Sequence, residues 1–363
     1  MAQPTPLPGI LDISPYVPGG AKAPGTDKVF KLSSNESALG ASEKAMAAYA
    51  ETADDLHLYP DGSALALREK IGTLHGLDPN RIVCGAGSDE ILQLLTRGYL
   101  GIGDNIVQSD HGFLVYALAA KSCGGEVRFA PERNLTADID EMLKLVDENT
   151  RLVFIANPNN PTGSYVPDSE IRCLHAGLPS NVILVIDAAY AEYMEEADYE
   201  AGHAMVEEFE NVVMTRTFSK IYGLGGIRLG WGYFPAAIAD VINRIRGPFN
   251  VNAPSIAAGI AALDDQAFVD RNRNFNKMER DFLAQQFGGM GLSFVQSYGN
   301  FILVQFPNEP GKAAGEIQNY LRDGGVIVRE MGAYKLSDWL RISVGTKEGN
   351  RRLVELLSEK FPL

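Results

Sequence analysis

Short runs of β-branched and apolar residues alternate with longer amphipathic stretches from about residue 40 onward. The amphipathic stretches include 90–100 and 114–121, and the strand-like runs fall at 81–84, 105–107, 151–156, 182–187 and 211–215. Residues 182–186 are apolar throughout, as expected of a strand that helices cover on both faces. This alternation is typical of an α/β domain built on a mostly parallel sheet.

The C-terminal part of the chain follows a different order. After a charged helical stretch at 264–286, the sequence predicts strands at 301–306, 326–329 and 340–344 and helices at 313–322 and 347–360. This order indicates a smaller α+β domain.

The domain organisation follows from these two patterns and from the N-terminus. Residues 1–29 are rich in Pro and Gly and predict an extended arm rather than a helix. A chain of 363 residues is long enough for two domains. We predict an N-terminal arm associated with the small domain (1–29), a large domain (30–263) and a small C-terminal domain (264–363).

Composition argues against several classes of function. A formal net charge of −14 repels a phosphate polymer outside a local basic pocket, so we expect no nucleic-acid partner. A small anionic ligand needs only two or three arginines and stays compatible with this charge. No apolar run approaches the roughly 20 residues that span a bilayer. The first residues also lack the basic and apolar segments of a secretory signal, so we expect no membrane association.

Cysteine and histidine usage indicates neither disulfides nor a metal site. Cys84, Cys123 and Cys173 are odd in number, far apart and in no C-x-x-C pair, which fits a reduced cytoplasm. The five histidines form no H-x-x-x-H spacing, so we expect no bound metal.

One glycine-rich segment, residues 215–228, combines a lysine, hydroxyls and an arginine. Lys220 lies just beyond a predicted strand, Thr217 and Ser219 flank it, and Arg228 follows. A lysine amine whose pKa is lowered by its surroundings can form a Schiff base with an aldehyde cofactor. The hydroxyls and the arginine can hold a phosphate, the arginine through two hydrogen bonds. The alternative is a surface lysine beside a flexible loop.

Asp187 ends the apolar strand at 182–187, and Tyr190 follows three residues later. Ligands of open α/β sheets bind at the carboxyl ends of the strands. A carboxylate there can pair with a protonated pyridine nitrogen and keep that ring electron-poor. Taken alone, Asp187 is better explained as a helix N-cap.

Two further loops follow predicted strands. In residues 157–163, Pro and Gly fix a turn in which an asparagine amide can donate to a ring oxygen, although the motif alone is only a turn. Gly87 and Ser88 open a helix, where backbone N–H groups can approach an anion. Glu90 stands where a dinucleotide-binding G-x-G-x-x-G motif has its third glycine. The four loops together offer a Schiff-base lysine, a pyridinium partner, a ring-oxygen donor and a phosphate site.

On these motifs the chain resembles a fold-type I aminotransferase dependent on pyridoxal 5'-phosphate (PLP), of the histidinol-phosphate aminotransferase family. The resemblance runs from Ile13 to about Lys360, and its most specific parts are 217–220 with Arg228, the loop 159–163, and Asp187 with Tyr190. It implies PLP as cofactor and an obligate homodimer with shared active sites. It also implies transamination of L-histidinol phosphate with 2-oxoglutarate, giving imidazole acetol phosphate and glutamate, in histidine biosynthesis.

The resemblance also implies roles for individual residues. Lys220 holds PLP, Asp187 pairs with the pyridine nitrogen, Asn160 and Tyr190 face the phenolic oxygen, and Phe113 stacks on the ring, with Lys220, Asp187 and Tyr190 as the catalytic residues. The other residues matched to cofactor contacts are Gly87, Ser88, Asp89, Thr217, Ser219, Arg228 and, from the other subunit, Tyr59. The residues matched to substrate contacts are Tyr16, Asn35, Arg329 and Arg341.

Two segments depart from the family pattern. The usual Asn-Glu-Asn-Pro segment reads Asn35-Glu36-Ser37-Ala38 here, without the proline beside the substrate entrance, and Phe113 replaces the usual tyrosine. Three alternatives stay open: an aromatic or broad-range amino-acid aminotransferase, a decarboxylase acting on phosphorylated threonine, and a non-catalytic regulator with this fold.

Overall fold

The structure is a computed structural model, and it describes residues 4–6, 9–13 and 28–362. The α-helices, in chain order, are α1 (Glu43–Glu51), α2 (Leu65–His75), α3 (Ser88–Tyr99), α4 (Leu114–Ser122), α5 (Ile139–Lys144), α6 (Asp168–Ala176), α7 (His203–Glu208), α8 (Ala236–Ile245), α9 (Ala253–Leu263), α10 (Gln266–Gly289), α11 (Ala314–Asp323) and α12 (Lys347–Lys360). The strands are β1 (Phe30–Lys31), β2 (Ile82–Gly85), β3 (Asn105–Ser109), β4 (Glu126–Ala130), β5 (Glu132–Arg133), β6 (Thr136–Ala137), β7 (Thr150–Ala156), β8 (Ile183–Asp187), β9 (Val212–Thr217), β10 (Gly230–Tyr233), β11 (Phe301–Gln305), β12 (Val326–Ile327), β13 (Arg329–Met331) and β14 (Leu336–Ser343).

A seven-stranded sheet organises the larger part of the molecule. Its strand order is β2-β10-β9-β8-β7-β3-β4, and every neighbouring pair is parallel except the two that contain β10. Because β10 is antiparallel to both its neighbours, β2 runs in the same direction as the remaining strands. The carboxyl ends of β2, β9, β8, β7 and β3 therefore meet at one edge, and the predicted α/β fold with a mostly parallel sheet is confirmed.

Apolar clusters lie on both faces of this sheet. Along β8, Leu184 and Ile186 belong to one cluster, whereas Ile183 and Val185 belong to another on the opposite face. All residues of β8 are buried, as the continuous apolar run predicts. Burial of each such side chain stabilises the folded state by roughly 1.5–3 kcal/mol. The end of the strand is therefore held firmly in place.

Helix starts are fixed by side chains that accept backbone N–H groups. The capping pairs are Ser42 with Ala45, Asp138 with Glu141, Asn252 with Ser255, and Thr346 with Gly349. Each cap of this kind stabilises a helix by about 0.5–2 kcal/mol. These caps therefore fix the first turns of α1, α5, α9 and α12.

The C-terminal part has its own antiparallel sheet, with the order β11-β14-β13, and its own apolar cluster. Strand β1 pairs in parallel with β12, and Leu32 belongs to this C-terminal cluster. Residues 30–32, which the predicted boundaries assign to the large domain, therefore pack with the C-terminal part. The division at 263/264 stays a prediction.

Helix α10 connects the two parts, as the charged stretch at 264–286 predicts. Within the described residues of the predicted extended arm, Ile10–Asp12 instead form one turn of 3-10 helix. No helix in the described ranges is both long and apolar enough to cross a membrane.

Candidate active site

A cavity of about 580 Å³ lies at the carboxyl edge of the large sheet, between that edge and the small antiparallel sheet. The predicted site residues that line it are Asn35, Ser88, Asp89, Phe113, Asn160, Asp187, Tyr190, Thr217, Ser219, Lys220, Arg228, Arg329 and Arg341. Gly87 directly precedes Ser88. Tyr59 is not in the cavity; its side chain is 82% exposed and stacks on Phe249. Tyr16 lies outside the described residues.

Lys220 follows the end of β9 and has a strongly perturbed amine. The pKa of this amine is lowered to about 8, mainly by burial and to a lesser extent by the positive charge of Arg341. About a tenth of such an amine is neutral at pH 7, whereas an ordinary lysine has less than about a thousandth in that form. Lys220 can therefore act as a nucleophile or a base near neutral pH.

Asp187, at the end of β8, is a buried carboxylate with two hydroxyl partners. Tyr116 Oη donates to Asp187 Oδ2 at 2.7 Å, and Thr215 Oγ1 donates to Oδ1 at 3.2 Å. Burial raises the pKa of Asp187 to about 6, although the bond from Tyr116 lowers it. A neighbouring cation would stabilise the charged carboxylate, and a protonated pyridine nitrogen is such a cation.

Tyr116 was not predicted, and it contacts two predicted residues, Asp187 through its hydroxyl and Phe113 through its ring. It contacts Phe113 edge-on, with 5.8 Å between ring centres, and stacks on Phe154 at 4.7 Å. Burial raises the pKa of the Tyr116 phenol well above its ordinary value, so the phenol stays a donor to Asp187. Its sequence position in an apolar helix start is also that of an ordinary core aromatic.

Asn160 and Arg341 bond to each other across the cavity wall. Arg341 Nη1 donates to Asn160 Oδ1 at 2.5 Å, and Arg341 Nη2 donates to the Ser33 carbonyl at 3.0 Å. Because the amide oxygen of Asn160 accepts this bond, its NH₂ group is the end that can donate to a ligand.

Asn35 ties Tyr190 to the small sheet. Its Nδ2 donates to Tyr190 Oη at 2.9 Å, and Ser343 Oγ donates to its Oδ1 at 3.0 Å. Burial raises the pKa of Tyr190 to about 12, so the phenol is neutral at working pH. Asn35 was expected to contact the substrate; it lines the cavity, but its side chain also bonds to these two protein groups.

Backbone N–H groups, hydroxyls and a guanidinium converge at the start of α3. Arg228 Nη2 donates to Asp89 Oδ2 at 3.0 Å, and its Nη1 donates to Ser219 Oγ at 3.3 Å. Gly87 has φ +83°, a backbone conformation that favours glycine, and a Cβ on it would lie 2.5 Å from Arg228 Nη2 and displace that guanidinium. A helix N-terminus beside an arginine is a favourable site for a phosphate.

The two predicted substrate arginines lie side by side on the small sheet. Arg329 on β13 is directly opposite Arg341 on β14, and both line the cavity. Opposite residues of an antiparallel pair share one face, and their Cβ atoms are about 4.5–5.5 Å apart. The cavity therefore presents two guanidinium groups that come from one face of this sheet.

The comparison with protein families agrees with this architecture. The model for "Aminotransferase class I and II" matches residues 27–357. Histidinol-phosphate aminotransferases from Paramagnetospirillum magneticum and Maricaulis maris are each 52% identical to the chain, over 359 and 353 residues. These alignments cover 99% and 97% of this chain, and 99% and 98% of the two relatives.

Solved structures extend the similarity to three dimensions. The histidinol-phosphate aminotransferase from Sinorhizobium meliloti, solved in complex with pyridoxal-5'-phosphate, is 28% identical and superposes with a TM-score of 0.86. The superposition covers 92% of this chain and 91% of that one, including both parts of the molecule. The chain therefore belongs to the histidinol-phosphate aminotransferase family of PLP-dependent, fold-type I enzymes.

Proposed function

We propose that the chain transfers the amino group of L-histidinol phosphate to 2-oxoglutarate, giving imidazole acetol phosphate and glutamate. The observation that supports this most strongly is the placement of Arg329 opposite Arg341 in the cavity that also contains Lys220. A single α-carboxylate is satisfied by one bidentate arginine, whereas a phosphate dianion can use two. The pair therefore favours a phosphorylated amine as substrate. Relatives that are 52% identical carry the name of that activity.

The residues present fit PLP as the cofactor. Lys220 supplies an amine with a lowered pKa, Asp187 supplies a buried carboxylate for a pyridinium nitrogen, and Arg228 with the start of α3 supplies the phosphate site. When bound, PLP supplies an electron-poor ring that delocalises the electron pair left at the substrate α-carbon. The solved relative from Sinorhizobium meliloti contains this cofactor.

Each side chain then has a defined task. Lys220 Nζ can accept the α-proton of the substrate, because its pKa of about 8 leaves part of the amine neutral. Asp187 would stabilise a positive charge on the ring nitrogen, and the bond from Tyr116 keeps that carboxylate oriented. Phe113 lines the cavity beside them and offers an apolar face to the ring.

We also propose that the enzyme is a homodimer in which Tyr59 reaches the phosphate site of the partner. Leu56, Leu58 and Tyr59 are 70%, 59% and 82% exposed, an unusual cluster of apolar surface. A groove beside them is lined by Leu56, Leu58 and Arg228, so a second copy seated there would lie next to the phosphate site. A monomer in sedimentation at assay concentrations would contradict this proposal. A cytoplasmic location stays a prediction.

The substrate proposal is tested by measuring kcat/KM for a panel of amines with 2-oxoglutarate. We expect histidinol phosphate to be the best donor, with lower activity on phenylalanine and tyrosine, whose rings would occupy the imidazole position. If phenylalanine or tyrosine were preferred, the aromatic aminotransferase alternative would replace this proposal. Release of carbon dioxide from phosphothreonine would favour the decarboxylase.

A further inference from the structure

Residues 33–41, here termed the entrance segment, are bound at their first half to the C-terminal part of the molecule. Asn300 Nδ2 donates to the carbonyls of Asn35 and Glu36, at 3.0 Å and 3.2 Å. The backbone N–H of Asn35 donates to Ser343 Oγ at 2.8 Å. The path of the segment past the cavity is therefore fixed by side chains that lie far away in sequence.

The second half of the entrance segment packs against residues 218–224, here termed the lysine loop. Gly223 has φ +69°, and a Cβ on it would lie 1.8 Å from the Gly40 carbonyl oxygen, so only glycine allows this approach. The Gly223 N–H donates to the Lys220 carbonyl at 3.0 Å. The two backbones are thus in direct contact beside the amine-bearing residue.

Asn272 on α10 bonds to both of these backbone segments at once. Its Nδ2 donates to the Ile221 carbonyl at 2.5 Å and to Ser37 Oγ at 2.9 Å. A side-chain amide has two N–H hydrogens, so these two bonds use all of its donor capacity. Asn272 is only 2% exposed, and bulk water therefore does not compete for either bond. Ile221 directly follows Lys220 in the chain.

We propose that Asn272 is a positioning residue for Lys220. By holding the Ile221 carbonyl, it fixes the backbone from which the Lys220 side chain extends, and Ser37 orients the amide that does so. The inference rests on the proposed role of Lys220. Ser37 and Ala38, which depart from the family pattern, are not among the residues that line the cavity. Ser37 bonds to α10 instead.

Amide hydrogen exchange in the cofactor-free, full-length protein tests this proposal. Asn272→Ala should speed exchange in the lysine loop about tenfold, because losing a buried hydrogen bond shifts a local opening equilibrium by about that factor. Ser37→Ala should have a smaller effect, since the bond to Ile221 remains. If the alanine variant is too unstable, Asn272→Leu keeps the branched shape of the side chain, with a larger volume, and removes the donors.

Asn276→Ala is the matched control. Asn276 lies one turn further along α10, is also buried, and donates to the Gly299 carbonyl at 3.2 Å rather than to the lysine loop. It should leave lysine-loop exchange within about twofold of wild type. In turnover assays, Asn272→Ala should lower kcat about tenfold and leave KM within about twofold of wild type. The reason is that the Lys220 amine would be displaced, whereas the substrate contacts would not.

Equal lysine-loop exchange in Asn272→Ala and Asn276→Ala would overturn the positioning role. So would faster exchange spread evenly over the whole protein, which indicates general destabilisation. Because exchange is measured without cofactor or substrate, a different preferred amine would refute the proposed function and leave this result standing.

Discussion

The two walls of the cavity are built in different ways. On the large-domain wall, Asp187, Thr217 and Lys220 lie at or just beyond the ends of parallel strands that meet at one edge. On the small-domain wall, Arg329 and Arg341 come together only because β13 pairs with β14 in one register. Strand-end loops thus place Asp187 and Lys220, whereas sheet pairing places the two arginines that we propose to select the substrate.

The groups of the large-domain wall also have shifted pKa values. Asp187 is buried and Lys220 is half-buried, and their pKa values are shifted toward each other, to about 6 and about 8. Such shifts suit proton transfer near neutral pH and serve any amine substrate. Substitutions in the large-domain wall should therefore slow transamination of every amine. Substitutions in the arginine pair should slow transamination of phosphorylated amines more than that of other amines.

Lys220→Ala should have the largest effect of all. It removes both the nucleophile and the base, so transamination should fall by about 10⁴-fold or more for every amine donor. PLP should still bind through the phosphate site around Arg228. Borohydride reduction of the wild-type holoenzyme followed by peptide mapping gives a direct check. A label on a lysine other than Lys220 would mean that the large-domain wall has been misassigned.

Asp187→Asn should have the next largest effect. The amide cannot hold a proton on the ring nitrogen, so single-turnover abstraction of the α-proton should slow on the order of 100-fold. PLP affinity should change much less, because the phosphate contacts remain. The loss should be similar for histidinol phosphate and phenylalanine. Near wild-type proton abstraction in this variant would remove Asp187 from its assigned role.

Much of the large-domain wall could be predicted because the residues that form it lie in short, continuous segments of the sequence. Strand ends, glycines and the lysine lie within a few residues of one another, as in 215–228. Strand β10 was missed because it is short and contains Gly230 and Gly232, which weaken any strand pattern. Gly230 is required there, since a Cβ would lie 2.2 Å from the Ser88 nitrogen.

Residues whose roles depend on distant partners could not be predicted. Tyr116 has the sequence pattern of a core aromatic, and only the pairing of β3, β7 and β8 brings it to Asp187. Asn272 lies in a charged helix, where nothing in the sequence indicates its bonds to Ile221 and Ser37. The role of Tyr59 depends on a second subunit and stays a prediction.

Substrate selection by the arginine pair is tested by the ratio of kcat/KM for histidinol phosphate to kcat/KM for phenylalanine in Arg329→Ala. Loss of one charge-assisted contact should lower kcat/KM for histidinol phosphate roughly ten- to a hundredfold, and that for phenylalanine by much less. Lys335→Ala is the matched charge control, because Lys335 lies close by in sequence but does not line the cavity. A ratio that falls in Arg329→Ala and stays constant in Lys335→Ala is the predicted result. An equal loss for both substrates in Arg329→Ala would contradict the proposal that the paired arginines select a phosphorylated amine.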